Sequence, residues 1–220
     1  SPSVAFWSSA DGTLKRVAVS GGAAVTICPA DQPLGMSWGA DGIVFGQDNK
    51  GVMRVAANGG VPEMLVSVKD GEQAYGPQIL PGGETLLFTL ATGTAAERWD
   101  KAQIVTQSLR SGERKTLVNG GSDGRYVPTG HLVYAIGGIV LAVPMDLRRL
   151  EVTGGPVPIV EGVRRAAAAL TGAAQFDFSS TGSLVYLPGP ISTATVVQND
   201  LALIDRKGGV EPLKLPTGPY

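Results

Sequence analysis

The sequence predicts an all-β chain: a β-propeller of four-stranded antiparallel blades, with about five blade units in this chain. Two observations predict it. A two-part phrase recurs along the 220 residues, each copy holding four short strands in about 40–45 residues, which is the period of a propeller blade. No stretch carries a helical period over a useful length. The best candidate, VRRAAAAL (163–170), is too short for more than a turn of helix.

The units follow in order, with strands A to D running from the inner strand outwards. The first (1–28) keeps only the tail of the opening phrase, SPSVAF (1–6), followed by GTLKRVAVSGGAAVTI (12–27), so it lacks strand A. The second (29–68) carries MSWGADGIVF (36–45) and GVMRVAANGGVPEMLV (51–66). The third (69–119) has QILPGGETLLF (78–88) and AQIVTQSLRSGERKTLV (102–118). The fourth (120–163) has YVPTGHLVYA (126–135) and a looser GIVLAVPMDLRRLEVTGGPVPIV (138–160). The fifth (164–220) has FDFSSTGSLVYL (176–187) and LALIDRKGGVEPLKL (201–215). Val, Ile, Leu, Phe and Tyr fill the strands, and Gly, Asp, Asn and Pro separate them, as hairpins require. The units form a single domain, 1–220, without a linker.

Composition narrows the function. The 31 glycines and 15 prolines, without a short period, fit many turns and exclude collagen. A formal net charge of −1 without a basic cluster argues against a nucleic-acid partner. The single thiol, Cys28, forms no internal disulfide. No apolar run reaches the roughly 18 residues of a membrane span, and SPSVAFWSS lacks the pattern of a secretion signal. The chain is then either cytoplasmic or a mature or excised piece of a larger protein.

The turns carry a resemblance. SPSVAF, GADGIVF and SSTGSLVY, with LKRVAVSGG and MRVAANGG, resemble the TolB-like propeller repeat and its Ser-Pro-Asp-Gly-type turn. The dialect of AVPMDLRRLEVTGGPVPIVEGV (142–163) is similar to the propeller C-terminal to bacterial eukaryotic-type serine/threonine kinases. The resemblance covers nearly the whole chain. It implies a ring usually closed with six blades, an extracytoplasmic location in a bacterium and a signalling parent protein. The Gly-His and Trp-Asp pairs of WD repeats are absent, as are the motifs of a kinase domain. A ring closed with five blades would need 216–220 to pair with the first unit. An open ring leaves unpaired strand edges, which predicts a further segment or a homo-oligomer formed through them.

Residues 35–39, GMSWG, match the nucleophile elbow G-x-S-x-G. That motif needs a strand-to-helix turn, whereas Ser37 lies on strand A with strand B following at once. The unit alignment places Ser37 opposite Gln78, Arg125 and Asp177, and Trp38 opposite Ile79, Tyr126 and Phe178. The match is therefore read as coincidence, and no catalytic residue, metal site or cofactor is assigned. His131, the only histidine, sits beside a tight turn. One His and one Cys make no zinc site, and Asp11, Asp41 and Asp123, each before Gly, read as turn residues. Trp7, Trp38, Phe45, Phe88, Phe176, Phe178, Tyr134 and Tyr186 are expected in inter-blade cores. Trp99 lies in a long polar connection and is a candidate binding residue.

In such a blade the A–B and C–D turns lie at one end, and the B–C and D–A connections at the other. The long connections, 91–101, 189–199 and 164–174, all fall at the second end. That end is expected to bind, through Arg98, Trp99, Asp100, Arg164 and Arg165. Ser37, Gln78, Arg125 and Asp177 are candidates near the inner strands. The expected function is a non-enzymatic recognition or sensor module for a protein or small ligand. A propeller hydrolase, the propeller of a prolyl-oligopeptidase-like enzyme and a self-assembling fragment are the alternatives.

Overall fold

A computed structural model describes residues 2–166, 170–179, 181–189, 191, 202–204 and 210–212. The first blade is a three-stranded sheet of β1 (Ser3–Ser8), β2 (Thr13–Ala18) and β3 (Val25–Pro29). The second has four strands, β4 (Pro33–Gly39), β5 (Gly42–Gln47), β6 (Gly51–Val55) and β7 (Glu63–Ser67). The third has β8 (Glu72–Ile79), β9 (Thr85–Thr92), β10 (Gln103–Ser108) and β11 (Arg114–Asn119). In the fourth, β12 (Ser122–Val127) and β13 (His131–Ile136) lead to the long β14 (Ile139–Asp146). One end of β14 pairs with β15 (Glu151–Val152) and the other with β16 (Val157–Val160). The fifth unit shows two pairs, β17 (Phe176–Phe178) with β18 (Leu184–Tyr186), and β19 (Ala202–Ile204) with β20 (Val210–Pro212). All pairings are antiparallel and join strands adjacent in sequence, except β14 with β16.

The second strand of each blade explains the packing. Side chains alternate across a strand, and here both faces are covered. Ile43 and Phe45 of β5 pack towards the first blade with Leu14, Ile27 and Cys28, while Val44 packs towards the third with Leu86 and Phe88. Leu87 of β9 then meets Leu132 and Tyr134 of β13, and Val133 and Ala135 meet Phe176 of the fifth unit. Four inter-blade cores result. Each fully buried Leu, Ile or Phe contributes about 1.5–3 kcal/mol, so stability is shared between neighbouring blades rather than held inside each one.

The aromatics Trp7, Phe45, Phe88, Tyr134, Phe176 and Phe178 occupy these cores as expected. Trp38 and Tyr186 do not, and both remain exposed. VRRAAAAL forms no helix among its described residues. Val163 and Arg165 instead make β-bridges to Pro188 and Ala174, and 167–169 lie outside the described residues. The connection 189–199 lies outside them too, apart from Gly189 and Ile191. No described helix is long and apolar enough to cross a membrane.

Candidate ligand-binding channel

The inner strands β4, β8 and β12 share a distortion. Each has a register shift, between Pro33 and Met36, Tyr75 and Gln78, and Ser122 and Arg125. At each shift one residue takes a left-handed backbone: Gly35 (φ 76°), Gly76 (φ 58°) and Asp123 (φ 54°). Glycine fits there for two reasons. It adopts this conformation at no steric cost, and a Cβ at Gly35 would lie 2.9 Å from the Gly76 backbone. Asp is among the few other residues that visit the region. Asp123 is thus no turn residue, as its Asp-Gly context suggests, but an inner-strand residue, 2% exposed. The sequence carried the signal: Asp123 stands two residues before Arg125, where Gly35 precedes Ser37 and Gly76 precedes Gln78.

The four aligned residues converge. Ser37, Gln78, Arg125 and Asp177 pair with Val44, Leu87, Val133 and Val185 on the adjacent strand of their own blades. All four line one cavity of about 520 Å³, together with Trp38, Tyr75 and Asp123. The first three also reach towards the next blade. Ser37 Oγ donates to the Pro77 carbonyl at 2.7 Å. Gln78 donates to the Tyr126 carbonyl at 3.1 Å and accepts from the Tyr126 amide at 2.8 Å. Arg125 Nη1 lies 3.1 Å from Asp177 Oδ1. The ring of side chains therefore stitches neighbouring blades while it walls the channel. Ser37→Ala is expected to cost about 1 kcal/mol, the net value of one such bond, read as a lowered urea midpoint at unchanged slope.

Charge is concentrated on one wall. Asp123 grips Arg125 side-on, Oδ1 to Nε and Oδ2 to Nη2, both at 3.1 Å, and Oδ2 also accepts the Ala174 amide at 2.9 Å. Burial works against the Arg125 charge, but the Asp123 carboxylate outweighs it and moves its pKa up. The Tyr75 phenol is pushed well above its ordinary value, first by burial and then by the negative charge of Asp123. Tyr75 stays protonated throughout the neutral range. Arg125 also stacks over the Phe176 ring, 4.6 Å from its centroid.

Of the residues expected at the loop-rich end, Trp99, Asp100 and Arg165 come together as filling. Trp99 ends a short 3₁₀ turn (Ala96–Trp99). It is 0% exposed and packs with Leu34, Tyr75, Ala91 and Ala102, meeting the Tyr75 ring edge-on at 5.6 Å. Its expected role as an exposed binding aromatic is therefore corrected: the connection folds back and buries the indole. Arg165 is 3% exposed and tied to Asp100 Oδ1 at 3.0 Å and Ser122 Oγ at 2.8 Å. Its buried Nε has no acceptor among the described residues. Arg98 reaches Gln73 Oε1 at 3.1 Å and is half-buried, which moves its pKa down. Arg164 stays at the surface beside Gly189.

A cavity larger than the channel lies at the opposite end. A cavity of about 740 Å³ is lined by the A–B turns at 39–42 and 80–83, by Tyr126 and Pro128, and by Ser37, Trp38 and Gln78, which it shares with the channel. The loop-rich end is the one expected to bind, and this cavity lies at the other. Short turns leave the central opening uncovered there.

Ser37 does not sit in an elbow. Its hydroxyl is engaged by Pro77, and β5 follows directly after the turn. His131 Nδ1 stays with Thr129 on another turn, 3.1 Å from its carbonyl. Among the described residues no three His, Cys, Asp or Glu side chains converge as metal ligands would.

No protein-family model matches the chain, and no curated protein matches it. Solved structures do. A luciferin-regenerating enzyme shares 10% identity at a TM-score of 0.59, over 96% of this chain and 71% of that one. A TolB-type protein of Agrobacterium tumefaciens shares 15% at 0.57, over 95% and 79%. An oligogalacturonate lyase solved with manganese shares 12% at 0.53, over 85% and 68%. The fold is a β-propeller, similar to TolB-type and enzyme propellers alike. The kinase attachment stays an expectation of the repeat's dialect. The expectation of a non-enzymatic chain is withdrawn, because enzymes are among the chains of similar fold. The geometry of Ser37 speaks against one catalytic route only.

Proposed function

We propose that the chain binds a small polar ligand in its central channel, entering from the tight-turn end. One observation carries this reading. Where the second and third blades have glycine, the fourth places a buried carboxylate, Asp123, which fixes Arg125 against the channel wall with Asp177 beyond it. Charged groups held in a concave, partly desolvated recess are what orient a small ligand. Ser37, Gln78 and Tyr75 add polar atoms around it, and Trp38 adds an apolar face. A ligand offering both hydrogen-bond donors and acceptors fits this lining best, since Asp123 already compensates Arg125. The same channel would hold the substrate of an enzyme, the second reading favoured by the enzymes of similar fold.

The test is a thermal-shift screen of sugars, sugar acids, amino acids and amines, with mass spectrometry of each binding mixture for product. Asp177 carries the decisive variant, because its side chain is 75% exposed and its loss leaves the cores intact. Binders are expected to lose affinity about tenfold in Asp177→Ala, the scale of one charge-assisted hydrogen bond. Binders indifferent to both Asp177→Ala and Arg125→Ala would place the site elsewhere. Product formed by the wild type and lost in Asp177→Ala would make the channel an active site.

A further inference from the structure

Tyr75 brings to the channel a hydroxyl that its neighbours leave unused. The residue is 6% exposed, and no described residue is hydrogen-bonded to its hydroxyl. The only buried side-chain nitrogen or oxygen without a partner among the described residues is Nε of Arg165. The Tyr75 hydroxyl is therefore not sealed in the core, and it opens on the channel that the residue lines. A buried tyrosine usually finds a partner for its O–H. Here the nearby groups are already taken. Asp123 gives one oxygen to Arg125 Nε and the other to Arg125 Nη2 and the Ala174 amide. Arg125 Nη1 is held by Asp177. The phenol ring itself is fixed, edge-on against Trp99 and packed with Leu34 and Ala91.

The charges beside it supply a second observation. Among the described residues that line the channel, two carboxylates, Asp123 and Asp177, face the single guanidinium of Arg125. Asp177 Oδ1 takes Arg125 and the Phe178 amide. Its other oxygen has no partner among the described residues. The groups left over are thus a carboxylate oxygen, which only accepts, and a protonated phenol able to donate. A ligand hydroxyl suits both, being donor and acceptor at once. A ligand carboxylate would instead meet two fixed negative charges, and like charges brought together cost affinity.

We infer that the ligand is a polyol without negative charge, a neutral sugar in its simplest form, whose hydroxyls accept from the Tyr75 phenol and donate to Asp177. This rests on the channel being the binding site, and adds to it the class of ligand and one binding residue. The Tyr75 hydroxyl serves the ligand and not the fold. Because it holds no described neighbour, its removal costs the free protein no internal bond.

The probes are D-glucose, D-galactose and their two uronates, with dissociation constants taken by calorimetry at fixed ionic strength. The better hexose should bind about tenfold or more tightly than its uronate. Asp177→Asn removes one of the two negative charges and should narrow that gap. Tyr75→Phe keeps the ring and its packing. Without ligand it should melt no lower than the wild type, yet it should weaken hexose binding about fivefold, the loss of one neutral hydrogen bond. A lowered melting temperature in Tyr75→Phe would reveal an internal partner and overturn the inference, as would an unchanged hexose affinity. Uronates binding as tightly as hexoses would overturn the ligand class and leave the channel as the site. The same holds if neither hexose binds while other screened compounds respond to Asp177→Ala. A screen in which nothing responds to Asp177→Ala or Arg125→Ala would overturn the channel reading itself, and this inference with it.

Discussion

Asp123→Ala is expected to destabilise the protein by about 5 kcal/mol, as a lowered urea midpoint. Three losses combine. The substitution strips Arg125 of the carboxylate that holds two of its nitrogens, and removing one partner of a buried pair costs about 3–5 kcal/mol. Arg125 keeps Asp177 and part of its solvent contact, its side chain being 31% exposed, so the lower half of that range applies. The Ala174 amide loses its acceptor. Alanine must also hold φ near 54°, which costs about 1 kcal/mol in the left-handed region.

Companion variants separate these effects. Asp123→Gly restores the residue of the neighbouring blades and relieves the backbone, so it should be about 1 kcal/mol more stable than Asp123→Ala. Asp123→Asn keeps the shape and tolerates the backbone but loses the charge and one acceptor oxygen, its NH2 then facing an Arg125 donor, and should still lie nearest the wild type. An alanine variant as stable as the glycine one would refute the left-handed assignment. The same series has a pH signature. Tyr75 is raised above its ordinary value of 10.0, so its contribution is complete below pH 10 and is lost as pH rises through the elevated value. Asp123→Asn should bring the phenol titration at 295 nm back towards 10, because it removes the negative charge that helps to hold it up.

Gly46→Ala should abolish folding. Gly46 lies in β5, where a Cβ would stand 2.3 Å from the Ala74 carbonyl oxygen of the third blade and 2.8 Å from that of Leu34. No side chain can rotate away to make room, since both obstacles are backbone. Relief requires separating β5 from β8, hence opening the core of Val44, Leu86 and Phe88. The expected cost exceeds about 4 kcal/mol, beyond ordinary overpacking, with the chain recovered insoluble. Gly39→Ala is the control. It meets nothing within 4 Å and should leave the melting temperature within about 1 °C, as surface substitutions do.

Much of the site can be read from the repeat. Aligning the units on their A–B turns places Ser37, Gln78, Arg125 and Asp177 in one register, and these four wall the channel because equivalent ladder positions point the same way in every blade. Asp123 was missed for lack of one further step. An Asp-Gly pair has the letters of a turn, and only its alignment with Gly35 and Gly76 marks it as a bulge. Trp99 misled in the other direction, since polar neighbours in a long connection look exposed. The 3₁₀ turn nevertheless carries the indole under Tyr75.

By itself, then, the sequence determined the blades, their order and the ring of aligned side chains, because strand period and turn chemistry are local properties that each unit repeats. Where the larger cavity lies, which loop aromatic is buried and that Trp38 stays exposed among the described residues were decided only in three dimensions. Those outcomes depend on contacts between blades far apart in the chain. There a long connection can fold inwards as filling, and a row of short turns can leave the larger recess.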